Sequence, residues 1–150
     1  MNAKDRDWLA ALTNATSIET IWAMHATRMA AYGFDRLLYG FTRYRTQTSL
    51  GDPNDFVLLT NHSNEYTDVF VGKGLYRHAP MVRWALENEG ACSWRVLGEM
   101  LAQGNLSDAE RQVIDFNLSK DLRAGYSISF KSVSSRANGA IALTARAGTE

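Results

Sequence analysis

Between Asn61 and Trp94 the chain concentrates flat apolar side chains, Tyr66, Phe70, Trp84 and Trp94, around Pro80, one of only two prolines. Side chains of this size must find a buried surface, and a plain core helix does not need so many of them. The same stretch carries polar tips. Aromatic walls with a few placed polar groups are what a pocket for a small, partly apolar ligand requires. On spacing alone Tyr66, Phe70, Met81, Trp84 and Trp94 fit an ordinary hydrophobic core equally well, so both readings stand at this point.

A chain of 150 residues is long enough for one domain with a single core. Sixteen basic residues balance sixteen acidic ones. A nucleic-acid binder usually carries a basic face, so this stretch by itself is not expected to bind DNA. The single cysteine, Cys92, excludes an intrachain disulfide framework, and a reducing cytoplasm is the simplest compartment for it. No apolar run reaches the ~20 residues of a membrane span, and the first 17 residues lack the apolar centre of a signal peptide.

Periodicity and turn chemistry lay out the elements. Asp5 to Leu12 reads as a short helix. Thr16-Ser17-Ile18-Glu19 fits a capping box with Thr16 as the cap. The helix that follows puts Ile18, Ile21, Trp22, His25 and Met29 on one face and ends near Gly33. Arg36 to Arg45 and Phe56 to Thr60 are rich in strand formers, with a turn at 51–54 between them. Helical pattern covers Asn64 to Tyr76 and then Pro80 to Glu87, with Pro80 in the first turn. Ser107 to Glu110 is a second capping box, opening a helix with Val113, Phe116 and Leu122 as core candidates. Tyr126 to Val133 and Ala140 to Ala145 read as strands joined through an Asn138-Gly139 hairpin turn. The order predicts an α+β fold, an α-β-α sandwich with a central antiparallel sheet of about five strands and helices on both faces.

Catalytic and metal signatures do not stand out. His25, His62 and His78 are scattered, without ligand spacing. Cys92 has no nucleophile signature around it and reads as a small buried filler. Val71-Gly-Lys-Gly74 lacks the frame of a phosphate loop. The expectation is no enzyme, no metal and no cofactor.

Order and spacing together resemble the autoinducer-binding domain of LuxR-type quorum-sensing transcription regulators. The family carries a helical Trp, a Tyr four residues on, an Asp-Pro pair nine residues later and a Trp fourteen residues past the Pro; Tyr66, Phe70, Ala79-Pro80 and Trp94 stand at those positions. Leu38-Tyr-Gly40-Phe-Thr42 resembles the family's first strand. Val57 to His62 resembles the strand entering an Asn-Tyr-Pro corner, with His62 at the Tyr position, and 138–142 resembles the last hairpin and strand. The likeness runs over roughly residues 5 to 147.

The resemblance implies a mechanism. An N-acyl homoserine lactone is enclosed between sheet and helices. The Trp donates to the lactone carbonyl, the Asp accepts from the ligand amide, a Tyr or Ser reaches the acyl carbonyl, and the later Trp walls the lactone. It implies a ligand-binding set of Leu38, Gly40, Thr42, Leu58, His62, Tyr66, Phe70, Ala79, Met81, Val82, Trp94, Ser129 and Ala142. Gly40 is the residue whose mid-strand position suggests close approach of another group. Binding that completes the core couples sensing to folding and to homodimerisation. The chain ends at Ala147-Gly-Thr-Glu150, where the family's linker begins. It is therefore expected to be the N-terminal part of a regulator, whose DNA contact belongs to a helix-turn-helix domain absent from this sequence.

The departures bear on the ligand. Tyr66 replaces the carbonyl-binding Trp, Phe70 replaces Tyr, and Ala79 replaces the Asp that accepts from the amide. Ala142 stands where some members have a hydroxyl. His78, Ser127 and Ser129 are the candidates to replace the lost acceptor. Two functions follow: a sensor for an acyl homoserine lactone or a similar small apolar signal, or a dimerisation module that no longer binds the lactone and modulates a full-length regulator. An enzyme on the same sandwich would need His62 as its acid or base.

Overall fold

A computed structural model describes residues 1–46, 49–132 and 134–145. Val133 and Ala147 to Glu150, where a linker is expected to begin, lie outside them. The chain begins with α1 (Ala3–Asn14) and α2 (Ile18–Ala31) and continues with β1 (Arg36–Thr42) and β2 (Val57–Thr60). A run of short turns starts with α3 (Asn64–Thr67). Then come α4 (Pro80–Glu87), β3 (Gly90–Ser93), α5 (Arg95–Gln103), α6 (Asp108–Ser119), β4 (Ala124–Ser129) and β5 (Asn138–Ala145). The five strands form one antiparallel sheet in the order β2-β1-β5-β4-β3, with helices on both faces.

Strand alternation gives the two faces different side chains. One face carries Leu37, Tyr39, Ile141, Leu143 and Ile128, and α2 packs on it through Trp22, Ala26 and Met29 at i, i+4 and i+7. The register places Gly40, Thr42, Ala140, Ala142, Thr144, Ser127 and Ser129 on the other face. These are small. The helical segments 64–119 lie over them, with a core of Tyr66, Phe70, Tyr76, Ala79, Val113 and Leu122.

Several boundaries depart from the sequence reading, each for a local reason. Ser17, not Thr16, caps α2, its Oγ accepting from the Thr20 amide at 3.1 Å. Glu19 then lies in the first turn, favourably placed toward the helix dipole. Ile18 and Ile21 fall off the line that meets the sheet and are half exposed. β1 ends at Thr42, whose hydroxyl donates to the Leu50 carbonyl and accepts from the Tyr44 amide, turning the chain before Arg45. The expected helix over Asn64 to Tyr76 is three pieces: α3, a π turn at Asp68–Gly72 and a 3₁₀ turn at Leu75–His78. Gly74 sits between the last two with φ 76°, a left-handed conformation that ends α-helical hydrogen bonding.

The Asn138-Gly139 pair is not the hairpin turn. Both residues belong to β5, opposite Thr42 and Phe41. Asn138 is buried and donates from Nδ2 to the Ala85 carbonyl. A Cβ on Gly139 would lie 3.2 Å from the Phe41 ring. β3 was not located from sequence: Gly-Ala-Cys-Ser has no strand-forming pattern and is a strand because it pairs with β4. Leu122 is buried as expected but lies beyond the end of α6, after Asp121 turns the chain with φ 60°.

The tightest glycine is Gly125, where a Cβ would lie 2.3 Å from the Leu143 carbonyl oxygen. Gly125→Ala therefore forces β4 from β5, and a loss of about 3 kcal/mol is expected in urea denaturation, at the high end for a single substitution. Gly98 in α5 has nothing within 4 Å of a built Cβ. Gly98→Ala is expected to stabilise by roughly 0.5–1 kcal/mol in the same assay.

Candidate functional site

The small-residue face of the sheet and the helices above it line a pocket of about 150 Å³ that is partly open to solvent. It exists for a geometric reason. At Gly40 a Cβ would meet nothing within 4 Å, and around it Ala140 and Ala142 reach only a methyl group above the backbone. No protein group approaches Gly40 closely, and open space lies above it.

Twelve of the thirteen positions inferred from sequence line this one cavity: Leu38, Gly40, Thr42 and Leu58 from β1 and β2, His62, Tyr66 and Phe70 from the corner and the first turns, Ala79, Met81 and Val82 at the head of α4, Trp94, and Ala142. The thirteenth, Ser129, does not line it. Its hydroxyl donates to the Ala85 carbonyl at 2.7 Å, beside the Asn138 amide bond to the same oxygen at 3.3 Å. Two sheet residues thus hold α4 against β4 and β5. His78, weighed as a substitute acceptor, is exposed and also lies off the cavity.

Sequence reasoning did not place Phe56, Tyr76, Asn117, Asn138 or Thr144 at the site, and all five line it. Asn117 was within reach of the helical pattern, four residues after Val113 on α6. Asn138 and Thr144 follow from strand alternation once β5 is known to begin at 138 rather than 140.

Most polar groups at the cavity are already paired. The Tyr66 hydroxyl donates to Asn117 Oδ1 at 2.9 Å, and Trp94 Nε1 donates to Ser127 Oγ at 2.9 Å. Thr42 Oγ1 donates to Leu50 and Thr144 Oγ1 to Arg36 carbonyl oxygens, both at 2.8 Å. The Ala79 methyl offers no acceptor. His62 stacks on Tyr66 with ring centroids 4.2 Å apart and planes 17° apart, and Tyr66 lies 5.4 Å from Phe70 in the same orientation. Burial pushes the Tyr66 phenol well above its usual range. It pushes His62 down to about 4, the Arg36 guanidinium adding to the effect and Asp35 opposing it. At neutral pH the ring is uncharged.

Outside the cavity, Arg83 on α4 pairs with Glu110 of the α6 capping box, joining the two helices. Among the described residues no three His, Cys, Asp or Glu side chains converge on a possible metal site, and no helix is long and apolar enough to cross a membrane.

A family model described as the autoinducer binding domain matches residues 17–150. The chain belongs to that family. Its members are regulatory, ligand-sensing modules without catalytic activity, as the resemblance implied. Among solved structures, similarity is found to the N-acylhomoserine lactone-dependent LuxR family transcription factor CepR2 of Burkholderia cenocepacia, with a TM-score of 0.68 and 20% identity over 93% of this chain and 75% of that one. SdiA of Escherichia coli is similar with a TM-score of 0.71 and 13% identity, covering 97% of this chain and 56% of that one. The chain therefore spans about three quarters of the first and little over half of the second. At such identities the likeness is one of fold. No curated protein sequence matches.

Because His62 titrates near 6.5 when unfolded and near 4 when folded, the unfolded chain takes up the proton first. Its contribution to stability is complete above pH 6.5 and is lost as pH falls toward 4. His25, also lowered by burial, acts in the same direction. Urea denaturation across that range is expected to show stability falling with pH, and His62→Phe is expected to flatten the slope to the part left by His25 and the carboxylates.

Proposed function

We propose that this domain is the ligand-sensing part of a LuxR-type transcription regulator and holds a small, largely apolar signal, an N-acyl homoserine lactone or a molecule of similar character, between the sheet and the helices of 62–119. The observation that carries the reading is the cavity itself: an apolar space lined by twelve of the positions at which the family resemblance places ligand contacts. Members of the set that act as walls are Leu38, Leu58, Phe70, Met81, Val82 and Trp94. Gly40, Thr42, Ala79 and Ala142 set the depth, and His62 and Tyr66 supply polar atoms. Ser129 acts on this account through α4, which it positions.

Coupling to assembly follows from mass action. A ligand that binds only the folded domain stabilises it by RT ln(1 + [L]/Kd), about 2.7 kcal/mol at a hundred times Kd. A folded, ligand-filled domain then presents its homodimer surface. DNA contact belongs to the regulator as a whole, and the sensing step takes place in the cytoplasm.

The second reading, a dimerisation module without a lactone, draws on a specific observation. Ala79 provides no acceptor for an amide N–H, and the Tyr66 and Trp94 donors are turned onto Asn117 and Ser127. A hydrogen bond to a charged group contributes roughly 1.5–3 kcal/mol, or one to two decades in affinity.

Thermal unfolding with acyl homoserine lactones of increasing chain length separates the two. A ligand-dependent rise in midpoint is expected for the sensor; indifference to every lactone and to other apolar ligands leaves the module. Ala79→Asp is expected to raise lactone affinity about tenfold or more in calorimetric titration. Gly40→Val, filling the open space, is expected to keep or raise stability while removing the ligand-induced shift.

A further inference from the structure

The face of the sheet turned away from the ligand pocket is only partly covered. α2 meets it over Leu37, Ile141 and Leu143. Further along, the register carries the same face through Tyr39 and Phe41 of β1 and Val57 of β2. Phe130 joins them just past β4, its amide donating to the Gly139 carbonyl at 2.9 Å. Phe130 and Val57 remain 45% and 46% exposed. The Tyr39 and Phe130 rings lie 6.2 Å apart. A Cβ built on Gly139 would lie 3.2 Å from the Phe41 ring and 3.7 Å from the Phe130 ring, so the missing side chain lets both rings settle low over β5. Together the rings border an open groove shared with Lys131, Ser132 and Ala137.

Charge is segregated at this end of the sheet, although the chain as a whole is balanced. No acidic residue lies between Arg36 and Gly51 or between Leu122 and Thr149. The fold brings those two stretches together: Arg43 follows Thr42, whose strand partner is Asn138, and the Arg45 amide donates to the Arg136 carbonyl at 2.9 Å. Lys131 follows Phe130 at the same end. None of Arg43, Arg45, Lys131 and Arg136 forms an ion pair among the described residues. Arg45 Nε is buried without an acceptor there. Asp52, the next carboxylate along the chain, accepts from the Asn54 amide at the start of a turn.

An apolar centre of aromatic rings edged by arginine and lysine has the composition of a protein-docking surface. A single-stranded nucleic acid would need exposed ring faces spaced along a cationic track. Here the rings lean on one another and the cations gather at one end. We propose that this end of the sheet docks an acidic segment of a protein partner, one aromatic side chain seated among Tyr39, Phe41 and Phe130 and the neighbouring carboxylates on Arg43, Lys131 and Arg136. The surface lies on the opposite side of the sheet from the ligand pocket, and the inference does not depend on what that pocket holds.

NMR titration of the full chain with the peptide acetyl-Glu-Asp-Phe-Glu-Asp-amide tests it, following the amide signals of Gly139 and Lys131 at the groove and of Gly98 on α5 as a distant reference. Saturable shifts of the first two, with Gly98 unmoved, are expected, weakening as salt is raised from about 0.05 to 0.5 M. Replacing the peptide's Phe by Ala is expected to weaken binding about tenfold or more, and replacing its four acidic residues by Lys to abolish it. Arg43→Glu/Arg136→Glu, at two exposed positions, is expected to weaken binding about tenfold with an unchanged thermal midpoint. Lys4→Glu/Arg6→Glu on α1 makes the same change in net charge and is expected to leave binding intact.

Equal binding of the Ala peptide overturns the aromatic seat and reduces the surface to unspecific attraction. Equal loss in the α1 double variant overturns the location of the charge contact. Tighter binding of an oligothymidylate of about ten nucleotides, shifting the same signals, overturns a protein partner in favour of nucleic acid. Absence of any shift at Gly139 and Lys131 overturns the proposal outright, and the sensing function stands whichever result is obtained.

Discussion

The structure depends on a sheet whose two faces carry side chains of different size. Leu37, Ile141 and Leu143 on one face meet Trp22, Ala26 and Met29 of α2 in a dense layer. Gly40, Ala140 and Ala142 on the other face are too short to reach the helices above them. Interiors pack close to the density of organic crystals, so a space of this size persists only where the surrounding framework cannot collapse into it. Here the framework is held: Gly125 brings β4 close against β5, and the Ala85 carbonyl ties α4 to both strands.

Polar groups at this cavity serve the protein before they serve a ligand. The Tyr66–Asn117 bond joins the turn after β2 to α6, and the Trp94–Ser127 bond joins the entry of α5 to β4. Each satisfies a buried donor that would otherwise cost free energy. With these donors engaged within the protein, apolar shape is the main selective property of the site. Ala79 fits that balance: a methyl group there extends the apolar wall where a carboxylate would need a partner.

Legibility followed the range of the interaction. The Ser107 capping box and Pro80 at the first position of α4 are local chemistry and stand where the pattern put them. Ser17 replaced Thr16 as a cap because two adjacent hydroxyl residues compete, and the helix start decides between them. Asn138-Gly139 has the composition of a turn but is used for a buried amide and for clearance beside Phe41, neither of which composition can reveal. β3 has no pattern of its own, since its strand conformation comes from β4.

By itself the sequence determined the class of the fold and the apolar character of the 62–94 segment, because these rest on periodicity, capping and spacing along the chain, and its likeness to the family was legible in the order of motifs. Tertiary structure alone decided that Gly40 borders open space, that Ser129 faces α4 and not the cavity, and that the Tyr66 and Trp94 donors are already engaged. The physical reason is distance along the chain. A hydrogen bond from Tyr66 to Asn117, or a void between β1 and α4, is set by groups tens of residues apart, whose meeting no local pattern encodes.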